Sequence, residues 1–364
     1  MSRRFPIRLR LSVALSVAIA ALVVAPAAWP HPQATVRLMI TGTDYFDDVY
    51  RKVVIEPFLR EYPGIGIEIY AVRNSRSALS VLRAQRVSPQ FDAVMLDLGF
   101  AASAKEEGLL AQMEPTRVPN AAELYRFGRD LGFWALPVTY DTLSLVYSKA
   151  AFPTPPRSWR ALWSAQARGK VTILAASVGN VGMLALTVVA SHLVGIRDPV
   201  LTPGPGLEYL AQLAPNVWSW NPRPDQYWMV AQGDAHLSVG WNARARHHMR
   251  SLGEKIGTVT PDEGTLVQTG TLALVAGAKR PIEAQVFINY ALGQAAQRAL
   301  AEAMYFAPTN RLAPVSEYVR RQIPLLSPEV ESKLIQFNWA TMTSVSRAFI
   351  YDYWVSHIMG PDSP

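Results

Sequence analysis

A chain of 364 residues, half of them hydrophobic and 17% charged, is long enough for two domains with sizeable cores and too apolar to be disordered. It contains no cysteine, which excludes disulfides, thiolate nucleophiles, cysteine-based zinc sites and a cysteine-linked lipid anchor together. Residues 1–10 take four arginines from the formal +7, leaving +3 on the remainder, whose Lys and Arg are scattered without aromatic interleaving; no nucleic-acid partner is expected.

The N-terminus reads as a targeting segment. Four arginines without an acid precede the apolar run LSVALSVAIAALVVA at 11–25, and small residues at 25–27 suit a cleavage site. A membrane span needs about 20 apolar residues, and Pro26 ends this run early. Export to the periplasm with removal of residues 1–27 is expected.

Strands and helices then alternate. TVRLMITG (35–42) reads as a strand, and the segment from Tyr45 to Gly64 as a helix, with Phe46, Val49, Val53 and Phe58 on one face and Pro63-Gly64 stopping it. GIEIYAV (66–72) is strand-like, SRSALSVLRAQRV helical, FDAVMLDL (91–98) a strand and AASAKEEGLL a helix. A second series opens with the strand-rich FWALPVTYDTLSLVYS, followed by a short helix in PRSWRALWSAQARGK, the strand KVTILAA (170–176) and an apolar helix ending near Gly195. Two further helices lead to the strand AHLSVGW (235–241). KIGTVTP and TLALVAG are strands, residues 280–304 read as one long helix, and the tail from 328 to 360 is helical and aromatic-rich. Near-continuous apolar strands alternating with helices predict an α/β chain whose mostly parallel sheets are covered on both faces.

Several chemistries are absent. There is no His-Glu-x-x-His, no phosphate loop ending in Gly-Lys-Ser/Thr, no complete dinucleotide fingerprint and no Gly-x-Ser-x-Gly elbow. The adjacent His247 and His248 on a helix point about 100° apart and do not make a metal pair; they are expected on a solvated helix face, and His192 in the core. Neither metal nor cofactor is expected.

Ligands of open α/β sheets sit beyond the carboxyl ends of strands, so the residues there are the candidates. They are Thr43, Asp44 and Tyr45; Asp97; Tyr140 and Asp141; Ser177 and Asn180; Trp241 and Asn242; and Gln268, Thr269 and Thr271. Aromatic walls with a few convergent polar groups suit a small-molecule cleft. No arginine belongs to this set, which favours a cationic or amine-bearing ligand over an anion; Arg244, Arg246 and the two histidines are placed on the outer side of their helix.

Three stretches carry a resemblance. These are ALPVTYDTLSLVYSKAAF with PPRSWRALWSAQARGKV, then QGDAHLSVGWNARA, and finally TPDEGTLVQTGTLALVAG with its Ala-rich helix and the turn FAPTN from Phe306 to Asn310. In this order they resemble extracellular solute-binding proteins of ABC importers, of the polyamine-binding type, over about residues 35–315. The resemblance implies a two-lobed type II periplasmic-binding-protein fold, with 35–139 plus 270–312 as lobe 1, 140–269 as lobe 2 and 313–364 as a C-terminal helical segment packing on them. It also implies a monomer that hands a solute from the interlobe cleft to an inner-membrane permease and catalyses nothing. Trp241 falls on that branch's Trp, Tyr140 on an aromatic position, and Phe306 on the aromatic of the turn. Asp97 stands where the branch has a hydroxyl, Gly270 where it has an acid, Gln268 where it has a Trp, and Ser177 and Asn180 where it has an acidic pair. Alternatives are another ligand (an amino-phosphonate, a zwitterion or ferric iron) or a secreted hydrolase using Asp97 and Asp141 as an acid/base pair.

Overall fold

The computed structural model describes residues 32–42, 45–175 and 181–359. The expected targeting segment, Thr43, Asp44, Ser177 and Asn180 lie outside these residues.

The first strand, β1 (Ala34–Thr41), pairs in parallel with β2 (Ile65–Val72). Between them run α1 (Phe46–Tyr50), a π-helical turn (Arg51–Ile55) and α2 (Glu56–Glu61), the predicted helix with one widened turn. Pro57 explains the widening, because it has no N–H to return to the preceding turn. Asn74 caps α3 (Ser75–Ala84), its Oδ1 accepting from Ser77 N at 2.9 Å. That helix leads to β3 (Ala93–Asp97), which lies beside β1. Helix α4 (Leu98–Glu106) follows at once, then the short β4 (Leu110–Ala111).

A long strand, β5 (Leu136–Ser148), is buried along its whole length. After it come β6 (Val171–Thr172), α5 (Val181–Leu193), α6 (Gly204–Ala211) and β7 (Val217–Ser219). Next are α7 (Gln226–Gln232), β8 (Leu237–Trp241), α8 (Asn242–Leu252) and β9 (Ile256–Val259). The last strand is β10 (Val267–Val275), followed by α9 (Pro281–Ala291), α10 (Gln294–Met304), α11 (Glu317–Arg320), α12 (Pro328–Ser332) and α13 (Ser344–Tyr353).

Three expectations need correction. Residues 280–304 form two helices, because Gly293 is extended (φ −70°, ψ 157°) and starts α10 anew. Over the described part of the strand expected at 170–176, paired-strand register is kept at Val171 and Thr172, where it shifts on β7, and single backbone bonds continue from Ile173 N to Ser219 O and from Ala175 N to Trp220 O. The short helix after Pro156 is a pair of 3₁₀ turns, Trp159–Trp163 and Ala165–Ala167, folded around the fully buried Trp159.

All ten strands join one sheet in the order β2-β1-β3-β10-β5-β8-β6-β7, with β4 on β10 and β9 on β5. The two outer groups are parallel within themselves. β10 runs antiparallel to β3 and β5, and β5 runs antiparallel to β8 and β9. β5 and β10 are therefore the strands that carry the sheet from one group to the other. Leu38, Ile40, Phe58, Phe287 and Ile288 build a core on one face of the first group; Leu96, Phe100, Leu143, Trp159, Leu186 and Leu237 belong to a larger one that extends under the second.

The tail closes over both groups. The buried Arg347 donates to Gly99 O at 3.2 Å and to Ser103 Oγ at 2.8 Å on α4, and covers the Phe100 ring at 4.3 Å. Burial lowers its pKa to about 10. Trp354, the residue directly after α13, donates from Nε1 to Thr187 Oγ1 of α5 at 3.0 Å. Among the described residues no helix is long and apolar enough to cross a membrane.

Candidate ligand-binding cleft

Side chains alternate along a strand, and one face of the crossing strands opens onto a cleft of about 930 Å³. Met95 and Asp97 of β3, Thr139 and Asp141 of β5, Val239 and Trp241 of β8, and Gln268 and Gly270 of β10 all line it at steps of two. A separate hollow of about 500 Å³ beside β2, lined by Leu59, Pro63 and Ile65, is mostly apolar and stands away from these strand ends.

Of the candidate residues, Tyr45, Asp97, Asp141, Trp241, Gln268 and Phe306 meet in the cleft. Asp97 is held on both oxygens: Ser75 Oγ donates to Oδ2 at 2.7 Å and Gln268 Nε2 to Oδ1 at 2.5 Å. Burial raises its pKa against these two donors. Asp141 reaches across to the start of α8 and accepts from Ala243 N at 3.0 Å and from Thr142 N at 2.8 Å. Burial outweighs these bonds and pushes its carboxyl up to about 8. The carboxylates of the hydrolase alternative thus already have partners within the protein.

Tyr45 and Trp241 supply aromatic walls, and Phe306 meets Phe46 edge-on at 5.9 Å. Tyr227, which sequence reasoning missed, fixes the Trp241 backbone: its hydroxyl accepts from Trp241 N at 3.0 Å. That approach requires glycine at 240, where a Cβ would stand 2.5 Å from the same hydroxyl.

Four candidates turn the other way. Tyr140 is buried and donates to Phe127 O. Asn242 is buried, its Nδ2 donating to Gln322 O at 2.9 Å. Thr269 is buried with an unpaired hydroxyl on the side of Gly128. Thr271 donates to Leu96 O at 2.8 Å inside the sheet.

The histidines are not on a solvated face. His247 stacks on Tyr45 with centroids 3.6 Å apart and planes 5° apart; His248 stacks on Tyr227 at 4.8 Å and approaches Asp225 at 3.4 Å. Burial first, then nearby arginines, lower the pKa of His247; for His248 burial leads and Asp225 opposes it. His192 is exposed at the end of α5 rather than in the core. The expectation that the site holds no arginine also fails. Arg73 after β2, Arg223 before α7 and Arg244 in the first turn of α8 all line the cleft. The signal for Arg244 was its spacing: with Trp241, His247 and His248 it recurs at three- and four-residue steps along one helical face. Among the described residues no three His, Asp or Glu side chains gather as a metal site.

Residues 54–320 match the family of bacterial extracellular solute-binding proteins. A curated relative, the spermidine/putrescine-binding periplasmic protein 1 of Haemophilus influenzae, is 24% identical over 283 residues, covering 75% of this chain and 74% of its own length. The gamma-aminobutyric acid-binding protein of Pseudomonas aeruginosa is 25% identical over 270 residues, covering 69% of this chain and 68% of its own. In fold, the chain matches an ABC transporter substrate-binding protein from Bradyrhizobium japonicum with a TM-score of 0.76 at 18% identity, over 89% of this chain and 99% of that one. The sheet with its two crossing strands is thus the two-lobed fold of periplasmic binding proteins. By its family match this chain belongs to the bacterial extracellular solute-binding proteins, the solute-binding components of ABC transporters.

Proposed function

We propose that this protein captures a small amine-bearing solute in the periplasm, between lobes divided near residues 139/140 and 269/270, and delivers it as a monomer to an inner-membrane permease without breaking a bond. The observation that carries this reading is one cleft in which Tyr45, Trp241 and Phe306 stand beside the carboxylates of Asp47, Asp97 and Asp225. A cation over an aromatic face gains about 0.5–2 kcal/mol, and a hydrogen bond to a charged group about 1.5–3. Several such contacts reach the roughly −8 kcal/mol of a micromolar complex. The charged, then apolar, then small-residue order of 1–27 supports export.

The test is a thermal-shift screen of the chain from residue 28 onward against amines, amino acids, phosphonates and metal ions. A solute that binds only the native state raises the melting temperature by mass action, about 2.7 kcal/mol of stabilisation at a hundredfold excess over Kd. Amines without effect, beside a metal ion or an amine-free solute with one, would overturn the reading. Trp241→Ala is expected to weaken the solute found by about tenfold or more while the circular-dichroism spectrum stays native. Undiminished affinity by calorimetry would remove Trp241 from the site.

A further inference from the structure

The charged groups that line the cleft differ in what they already bind. Asp97 receives Ser75 and Gln268, and Asp141 receives the backbone at the start of α8. Asp225 accepts from Trp228 N at 2.9 Å and faces His248. Arg244 is the reverse case. It is half-buried on the cleft side of α8, and its Nε is closed off from solvent without a hydrogen-bond partner. Among the described residues no carboxylate comes within ion-pair distance of it. Its field reaches Tyr45, Tyr227, His247 and His248, none of which supplies a negative partner. Arg246, whose Nε is also unpaired, does not line the cleft.

A partly desolvated guanidinium without a counter-ion is costly. Its planar fork of donors matches a carboxylate or a phosphonate in two parallel hydrogen bonds. Arg73 and Arg223 line the same cleft from exposed positions and add positive potential to it. We infer that the solute carries an acidic oxyanion as well as its amine, and that Arg244 is the specificity-determining residue that receives it. The aromatic walls and Asp47, the one lining aspartate whose carboxylate receives no donor among the described residues, are left for the amine end. The solute class is then a short amino acid with separated charges, or its phosphonate counterpart. This inference rests on the cleft being the binding site.

Calorimetry on the mature wild-type chain with four probes of matched length tests it: putrescine, gamma-aminobutyric acid, the phosphonate analogue of that acid, and succinate. Either oxyanion-bearing amine is expected to bind at least about tenfold more tightly than putrescine, and which of the two wins tells carboxylate from phosphonate. Arg244→Gln is expected to erase that preference by weakening both zwitterions about tenfold or more without weakening putrescine, while Arg244→Lys, which keeps the charge without the fork, retains part of it. Putrescine equalling or exceeding both zwitterions on the wild type, or undiminished discrimination in folded Arg244→Gln, would overturn the inference. Putrescine binding alone keeps the amine reading and sinks the oxyanion. Succinate binding alone keeps the oxyanion and sinks the amine. Binding of none sinks both.

Discussion

Replacing Trp354 with alanine is expected to destabilise the fold by about 3–5 kcal/mol, the usual cost of truncating a fully buried indole. Trp354 has no solvent exposure, packs edge-on to Trp220 with centroids 5.6 Å apart, and gives its Nε1 hydrogen bond to Thr187. Truncation opens a cavity between the tail and α5 and removes the anchor opposite Arg347. At this chain length that loss lowers the melting temperature by roughly 4–7 °C. Trp354→Phe keeps most of the apolar volume and loses the hydrogen bond, so about 1–2 kcal/mol is expected of it. A melting temperature unchanged by the alanine variant would mean that the tail is not integral to the core.

Asp141 is expected to give the protein a pH-dependent stability that runs against the usual carboxylate trend. Burial lifts its folded pKa to about 8, above the roughly 4 of an unfolded aspartate. The native state therefore holds a proton that the unfolded state has released across that window. This contribution is fully present below the unfolded pKa and is lost as pH rises through about 8. Asp141→Asn keeps an oxygen for Ala243 N and cannot ionise. It is expected to flatten the melting curve between pH 5 and pH 8 and to melt higher than wild type at the upper end. Asp141→Ala leaves the start of α8 without its acceptor, since Trp241 offers no side-chain cap, and loses about 1–2 kcal/mol at every pH. Parallel pH dependence in wild type and Asp141→Asn would refute the assignment.

Searching strand ends located the cleft in the sequence but could not resolve its two sides. Tyr140 and Asp141 are neighbours on β5, as are Gln268 and Thr269 on β10, and in each pair only one side chain can face the cleft. Every residue of β5 is buried, so no alternation of polarity marks the open face. The helices failed where local pattern and tertiary packing disagree: the apolar run over 280–304 conceals the break at Gly293. Arg244 was legible as part of a helical stripe, and treating α8 as a solvated element concealed it. The tail was visible as helical and aromatic, while its grip on both α4 and α5 depends on contacts as far apart in sequence as Arg347 and Gly99.

The antiparallel pairing of β3 with β10 has a consequence for biogenesis. Gln268, which completes the shell around Asp97, lies 171 residues downstream of it, so a chain folding from its N-terminus as it emerges has reached its last strand before that edge is covered. Until then the unpaired backbone N–H and C=O groups along Ala93–Asp97 are an open template for a stranger's strand. Completion of the cleft and protection from aggregation arrive together, late in the emergence of the chain, when a single returning segment seals the seam.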